Sequence, residues 1–446
     1  MRCMADNPLN RSSTTVVITV TGLRSDLIGA FGAFNARTPN IDDLAGRSIV
    51  LDRLFADSAD TSEQLRSIWT GSHALKRSVQ STGSTVTLFN QIHDVSAQAT
   101  FLSDSLEAAE LAERAGCSDA SYCGTPEVER TPVSEPIRCS ITAPLLHGAD
   151  LLVGSHPVPD LLWIHCDGLR RPWDAPLDLR SAFCDPEDPD PPAEVCYPDI
   201  QVDTDTDPDL LIGWSQVAAA QIAAFDEAAG ILLDAIRRYS SASGQQCNIL
   251  LLGLGGIPLG EHGKIGGDSW GLHETTLACP AIVSLPSREL PVGIRQHDIL
   301  QLPDVGATLR RLFEITAACE WGMDCLVEAT TPTLFAPPAP LDRAIVQETR
   351  HTSPASSVQS TWFRTPAWSL HTELELDEQS GAGHAPSDVT AFVMPDDRWE
   401  RSDVARRSIG VVAQLADQQQ LLLKAINTGS RDQLTILDET LTNLMR

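Results

Sequence analysis

The sequence predicts an α/β protein: a doubly wound, mostly parallel sheet flanked by helices, followed by a small C-terminal antiparallel sheet and a terminal helix. Three observations predict it. The runs "TTVVITVTG" (14–22), "PDLLWIHCDG" (159–168) and "NILLLGLGG" (248–256) are apolar almost throughout, as strands buried on both faces are. Stretches with apolar residues at helical spacing separate them, which is the alternation of a doubly wound sheet. From about residue 327 the texture changes to a Pro-rich passage and then short alternating runs, the pattern of a half-exposed antiparallel sheet.

Each element has its own signal. "TPNIDDLAGRS" (38–48) opens with Thr-Pro and places Ile41, Leu44 and Ala45 on one helical face, with Asp42 and Asp43 near the positive N-terminus. "IVLDRLFAD" (49–57) reads as a strand. "TSEQLRSIWTG" (61–71) reads as a helix that Thr61 or Ser62 caps and Gly71 closes. A long helix runs from about Leu210 to Gly244 and feeds the "NILLLGLGG" strand. "HDILQLPDVGATLRRL" (297–312) gives a strand, a turn and a helix, and the last helix runs through "DVARRSIGVVAQLADQQQLLLKAI" (403–426). The expected organisation is a tail at 1–13, the α/β domain at 14–326 and a C-terminal subdomain at 327–446.

Composition bounds the function. Sixty acidic against 32 basic residues give 446 residues a net charge of −28, a field that repels phosphate backbones and excludes nucleic acid as a partner. The longest apolar stretches are short and broken by glycine, so no membrane partner is expected. The N-terminus as written has no apolar run of secretory-signal length, which makes the cytoplasm the expected address. Eleven scattered cysteines without ligand spacing are then expected mostly reduced, with the 117–139 and 184–196 groups the candidates for a disulfide or metal. The segment 184–209 packs proline with acid and is expected as a surface excursion. Asp203, Asp205 and Asp207 suggest a calcium loop, but Pro208 and Trp214 stand where such a loop needs Gly and Glu, so a solvated loop is expected.

Several blocks taken together resemble the sulfatase family of the alkaline phosphatase superfamily, over most of the chain. "RSDLIGAFG" with "TPNIDDLA" is similar to the family's N-terminal signature. "GEHGKIG" with "HETTLACPAIV" is similar to the second, "HDILQLPDVGATLRRL" to the helix beyond it, and "AFVMPDDRWERSDVA" to the segment where the small sheet meets the final helix. The resemblance implies an alkaline phosphatase-like fold and the hydrolysis of sulfate esters by a calcium-held formylglycine.

The same comparison puts the chemistry of this copy in question. The family's two pairs of metal-ligating residues fall on Thr21 and Gly22 and on Leu254 and Gly255, none of which neutralises a divalent cation. Asp26 and Asp57 are the nearest acids in sequence. The nucleophile position falls on Thr61, with Glu63 and Leu65 at the places of the motif's Pro and Arg, and Arg66 turned about 100° from the needed direction. A Thr hydroxyl without metal stays protonated at neutral pH, so helix capping competes with catalysis for Thr61. The family's Lys falls on Ser269 or Trp270. His165 and His273 match the family as candidate catalytic residues, and Arg24, His262 and Glu274 are candidate cleft residues.

The resulting expectation is a catalytically inactive sulfatase-fold binding or scaffold protein with no cofactor. A small sulfated or phosphorylated ligand, or a protein docking on the acidic loop or the C-terminal sheet, are the expected partners. The alternative is an active sulfuric or phosphoric ester hydrolase whose site is rebuilt on Thr61 and His165.

Overall fold

The computed structural model describes residues 13–35, 37–79, 86–124, 131–155, 157–267, 271–286, 292–316, 319, 321–322, 342–353, 356–377, 388–431 and 434–443. An eight-stranded sheet forms the centre. Its spatial order is Ile294–Gln296, Ile49–Leu51, Ala281–Ser284, Gln246–Leu254, Ser13–Thr21, Leu161–Cys166, Ala99–Ser103 and Asp119–Tyr122. All pairings are parallel except those of Ala281–Ser284, which runs antiparallel to both neighbours. The doubly wound α/β expectation is therefore met.

The apolar runs lie where their composition sends them. Val16, Val17, Ile18 and Val20 of the first strand are wholly buried, and each such side chain contributes about 1.5–3 kcal/mol by leaving water. Alternate residues feed two cores on opposite faces of the sheet, one containing Val17, Trp163 and Leu252, the other Val16, Ile164 and Leu251. The second face is covered by Pro208–Ser243, a 36-residue helix, and by Pro39–Gly46. Asp226 of the long helix ties the two helices together by accepting from the backbone of Asn40 and Ile41 and from the Asn40 amide.

Beyond this sheet, Ala344–Ser353, Ser356–Arg364, Trp368–Asp377 and Asp388–Val393 form a four-stranded antiparallel meander. The helix Ile409–Thr428 packs on it around Leu415, Leu422 and Ile426. The passage 327–341 lies outside the described residues. Among the described residues no helix is long and apolar enough to cross a membrane.

Local details differ from the sequence reading in two places. "IVLDRLFAD" is two strands in separate sheets, because Asp52 and Arg53 turn the chain: Ile49–Leu51 joins the large sheet, and Leu54–Phe55 pairs with Leu300–Gln301. The excursion at 184–209 contains a strand, Asp199–Gln201, which pairs antiparallel with Lys264–Gly266 of the "GEHGKIG" loop. Within it Asp203 closes a turn by accepting from Asp205 and Thr206, and Asp207 caps the long helix. The nine described cysteines, 117, 123, 139, 166, 184, 196, 247, 279 and 319, are all free.

Candidate functional site

In a doubly wound sheet the ligand site lies beyond the carboxyl ends of the strands. The register puts Thr21 beside Leu254, and His165 between Thr19 and Ser103. The four positions at which the resemblance implies metal ligands thus lie together at that edge, and they are closed. The Gly22 amide donates to the Leu254 carbonyl at 3.3 Å. Gly22 has φ +82, and a Cβ there would lie 2.9 Å from Cγ2 of Ile257 and 3.2 Å from Cβ of Leu169. Leu254 is wholly buried in the core, and the Gly255 amide donates to Sγ of Cys279 at 3.4 Å.

Calcium takes six to eight oxygen ligands. These four residues present one side-chain oxygen, Oγ1 of Thr21, which lies beside the Asp167 carboxyl, while Ile257 and Leu169 crowd Gly22. They do not fit the ion. The neighbouring acids are committed elsewhere: Asp26 is paired with Arg24, and Oδ2 of Asp57 accepts from Ser67 Oγ at 2.6 Å and from the Ala74 amide at 2.8 Å.

Thr61 is the first residue of the helix Thr61–Thr70. Its cap is Asp60, whose side chain accepts from the Glu63 amide, so neither Thr61 nor Ser62 caps this helix. The Thr61 hydroxyl instead stands 3.5 Å from Nη1 of Arg170, on the loop after the Leu161–Cys166 strand. That loop also carries Asp167, whose amide donates to Oδ1 of buried Asp104 at 2.7 Å. Burial pushes the Asp104 carboxyl up to about 7, and burial also raises Asp167 against the opposing charges of Arg170 and Arg171. Both acids directly follow or nearly follow buried strands, in "FLSDS" and "WIHCDG", and that placement was the available sequence signal for them.

His165 does not line an open cleft. It is 1% exposed, its Nδ1 is 3.0 Å from Oγ1 of Thr19, and its ring stacks on Phe101. Burial, with Arg171 nearby, pushes the imidazole down to about 3, so it is neutral in ordinary buffers. Arg24 is also sequestered: its guanidinium is 2% exposed and forms two-pronged contacts with Asp26 and with Glu261. Burial opposes the Glu261 charge, but the Arg24 hydrogen bonds and charge outweigh it and hold the carboxyl down at about 2.

The other cleft candidates do converge. The His262 and His273 rings stack in parallel at 3.4 Å, and His371 lies 5.1 Å from His273. All surround Glu400, which is wholly buried at the side chain and which the sequence reading did not single out. Its Oε2 lies 3.2 Å from His273 Nδ1 and accepts from the Glu274 amide. Its Oε1 accepts from Trp362 Nε1 at 2.9 Å and from Ser369 Oγ at 2.6 Å, with His371 Nε2 at 3.1 Å. Glu274 itself pairs with Nε of Arg364 at 2.7 Å. His371 and Glu400 escaped notice because neither lies in a spacing pattern; only the meander brings them to the "GEHGKIG" and "HETTL" segments. Ser269 and Trp270 lie outside the described residues.

Next to this cluster is a cavity of about 360 Å³ lined by, among others, Phe31, Arg53, Arg364, Arg398 and Trp399. The Arg364 guanidinium is partnered by Glu274, and that of Arg398 lies 4.3 Å over the Trp399 ring. Among the described residues the Arg53 guanidinium has no hydrogen-bonded or ion-pair partner; burial and the adjacent Arg364 lower its proton affinity. The same lining carries the carboxylates of Asp26, Asp52 and Glu274, and Arg295 pairs with Asp52 at 2.7 Å, so that among the described lining residues the guanidinium groups of Arg53 and Arg398 are the ones without an ion-pair partner.

No family model and no curated protein matches the sequence. Solved structures match its fold across nearly the whole chain. The phosphonate monoester hydrolase of Agrobacterium radiobacter superposes with a TM-score of 0.67 at 14% identity, covering 96% of this chain and 97% of that one. A protein solved with its substrate D-glucosamine-2-N,6-O-disulfate gives 0.66 at 14%, over 94% and 99%. A 2-O GAG sulfatase gives 0.62 at 12%, over 96% of each chain. With the mixed sheet, the separate four-stranded meander and these likenesses together, the chain has the alkaline phosphatase-like fold of the sulfatases.

Proposed function

We propose that this chain is a sulfatase-fold binding protein that does not carry out calcium-dependent ester hydrolysis and that holds a small sulfated or phosphorylated ligand at the cavity of Arg53, Arg364 and Arg398. The observation that carries the first half is that the four implied ligand positions offer only the Thr21 hydroxyl, with Ile257 and Leu169 crowding Gly22 and Leu254 buried in the core. A cation is what ionises a hydroxyl nucleophile in such a site, and these four positions offer no ligand set to hold one. The second half rests on the guanidinium groups and the Trp399 face, a combination suited to an oxyanion carried on a ring.

The hydrolase reading needs Thr61 activated by a base. His165 is a poor candidate, since its Nδ1 is engaged by Thr19 and its ring is sealed by Phe101. An aryl sulfate and an aryl phosphate, each tested for binding and for turnover with and without calcium, manganese or zinc, separate the readings. Binding weakened at least tenfold by Arg53→Ala, with no turnover, is the expected result. Turnover that disappears in Thr61→Ala or His165→Ala would overturn it. A clean monomer in pull-downs excludes the protein-scaffold version.

A further inference from the structure

Three imidazoles and one carboxylate from four separate segments meet where the loop after the Gln246–Leu254 strand reaches the C-terminal meander. We propose that His262, His273 and Glu400, with His371 beside them, form a binding site for a transition-metal ion of the zinc class, apart from the closed strand-end position.

The donor set favours such an ion. One ligand atom from each of His262, His273 and Glu400 can be chosen so that all lie within 4.8 Å of one another. Imidazole nitrogen with a single carboxylate suits zinc, cobalt, nickel or copper, whereas calcium and magnesium take oxygen sets. Nδ1 of His273 and Oε2 of Glu400 are 3.2 Å apart. That is close to the spacing of two ligands on a tetrahedral ion with bonds of about 2.0–2.1 Å. His371 Nε2, 3.1 Å from the other oxygen, stands on the far side of the same carboxylate.

The surroundings prepare the ligands. Trp362, Ser369 and the Glu274 amide hold the Glu400 carboxylate in one orientation, as outer-shell donors do around metal-bound carboxylates. His262 Nε2 is buried without a hydrogen-bond partner among the described residues. A buried polar atom left unpaired is costly, and a metal bond satisfies it. His262 and Glu400 both have left-handed backbones, φ +57 and +52, which non-glycine residues adopt at a cost and which gather at functional sites. Binding requires His262 to leave its stack on His273 and turn its Nε2 to the ion, with His273 in the tautomer that carries its proton on Nε2 and leaves Nδ1 free to ligate. An ion there ties the "GEHGKIG" loop to the meander, and its readout is independent of any esterase activity.

The test uses the full-length chain, stripped with chelator and titrated with zinc by calorimetry and with cobalt(II) by visible absorption. One zinc per chain, a tetrahedral cobalt spectrum and a zinc-dependent rise in melting temperature are expected. His262→Ala should weaken zinc at least tenfold, and His262→Cys, which supplies another zinc ligand, should restore it. His147→Ala, at an exposed histidine on the Ala143–Val153 helix, serves as the control. Failure of the stripped protein to bind zinc stoichiometrically, or equal binding by the wild type and His262→Ala, overturns the proposal.

Discussion

The Gly22 amide donates to the Leu254 carbonyl, joining two positions at which the family resemblance implies metal-ligating side chains. The two strand ends are joined by backbone, and the Leu254 side chain fills the core and offers no ligand. Restoring a carboxylate should therefore harm the protein without restoring an ion. Gly22→Asp forces a side chain into a φ of +82 and against Ile257. The strain of that backbone costs about 1–2 kcal/mol before the clash is counted. Chemical denaturation should show that loss, and calcium should leave the melting temperature of the variant unchanged. A calcium-dependent rise would mean that the position still accepts the ion.

Arg24 is a structural cation. Its removal strands Glu261 and Asp26 around a buried void, so Arg24→Ala should lose about 3–5 kcal/mol. The folded Glu261 carboxyl lies below its ordinary 4.5, at about 2. The folded state therefore binds that proton less readily than the unfolded state. Its contribution is complete above about 4.5 and fades as the pH falls toward 2. Urea unfolding at pH 7 and pH 3 should show a smaller gap between wild type and Arg24→Ala at the lower pH.

Asp104 has the opposite sign. Its folded carboxyl is raised from 3.8 to about 7, so between these values the folded chain keeps a proton that the unfolded chain has released. This group's contribution therefore falls as the pH rises through that window, by about 1.4 kcal/mol per pH unit at most. Asp104→Asn keeps an acceptor for the Asp167 amide and removes the titration. The variant should gain stability relative to wild type at pH 8 and lose that advantage at pH 5. Parallel pH profiles for the two proteins would exclude the assignment.

Asp60 and Thr61 divide the work at the head of their helix. Asp60→Ala removes the cap on the Glu63 amide and should cost about 0.5–2 kcal/mol. Thr61→Val removes a hydroxyl whose contact is with Arg170 and should change stability by less than about 0.5 kcal/mol. Thermal melts of the two variants separate them directly, and a larger loss for Thr61→Val would return the capping role to Thr61.

The strands were legible because burial on both faces writes continuous apolar runs, as at 14–22 and 248–256, and the helices because Gly71 and Gly244 close them in left-handed turns. Within the surface excursion at 184–209, the pairing of Asp199–Gln201 with the "GEHGKIG" loop was not legible, because it depends on a partner more than 60 residues away.

By itself, then, the sequence determined the layered α/β architecture, a consequence of residue type at local spacing. Only the tertiary structure decided that Arg24 is neutralised, that His165 is sealed against Phe101, that Asp60 and not Thr61 caps its helix, and that His262, His273, His371 and Glu400 share one centre. Those outcomes are set by which side chains the packed strands and loops bring within a few ångströms, and such contacts between distant segments leave no periodic trace in the chain.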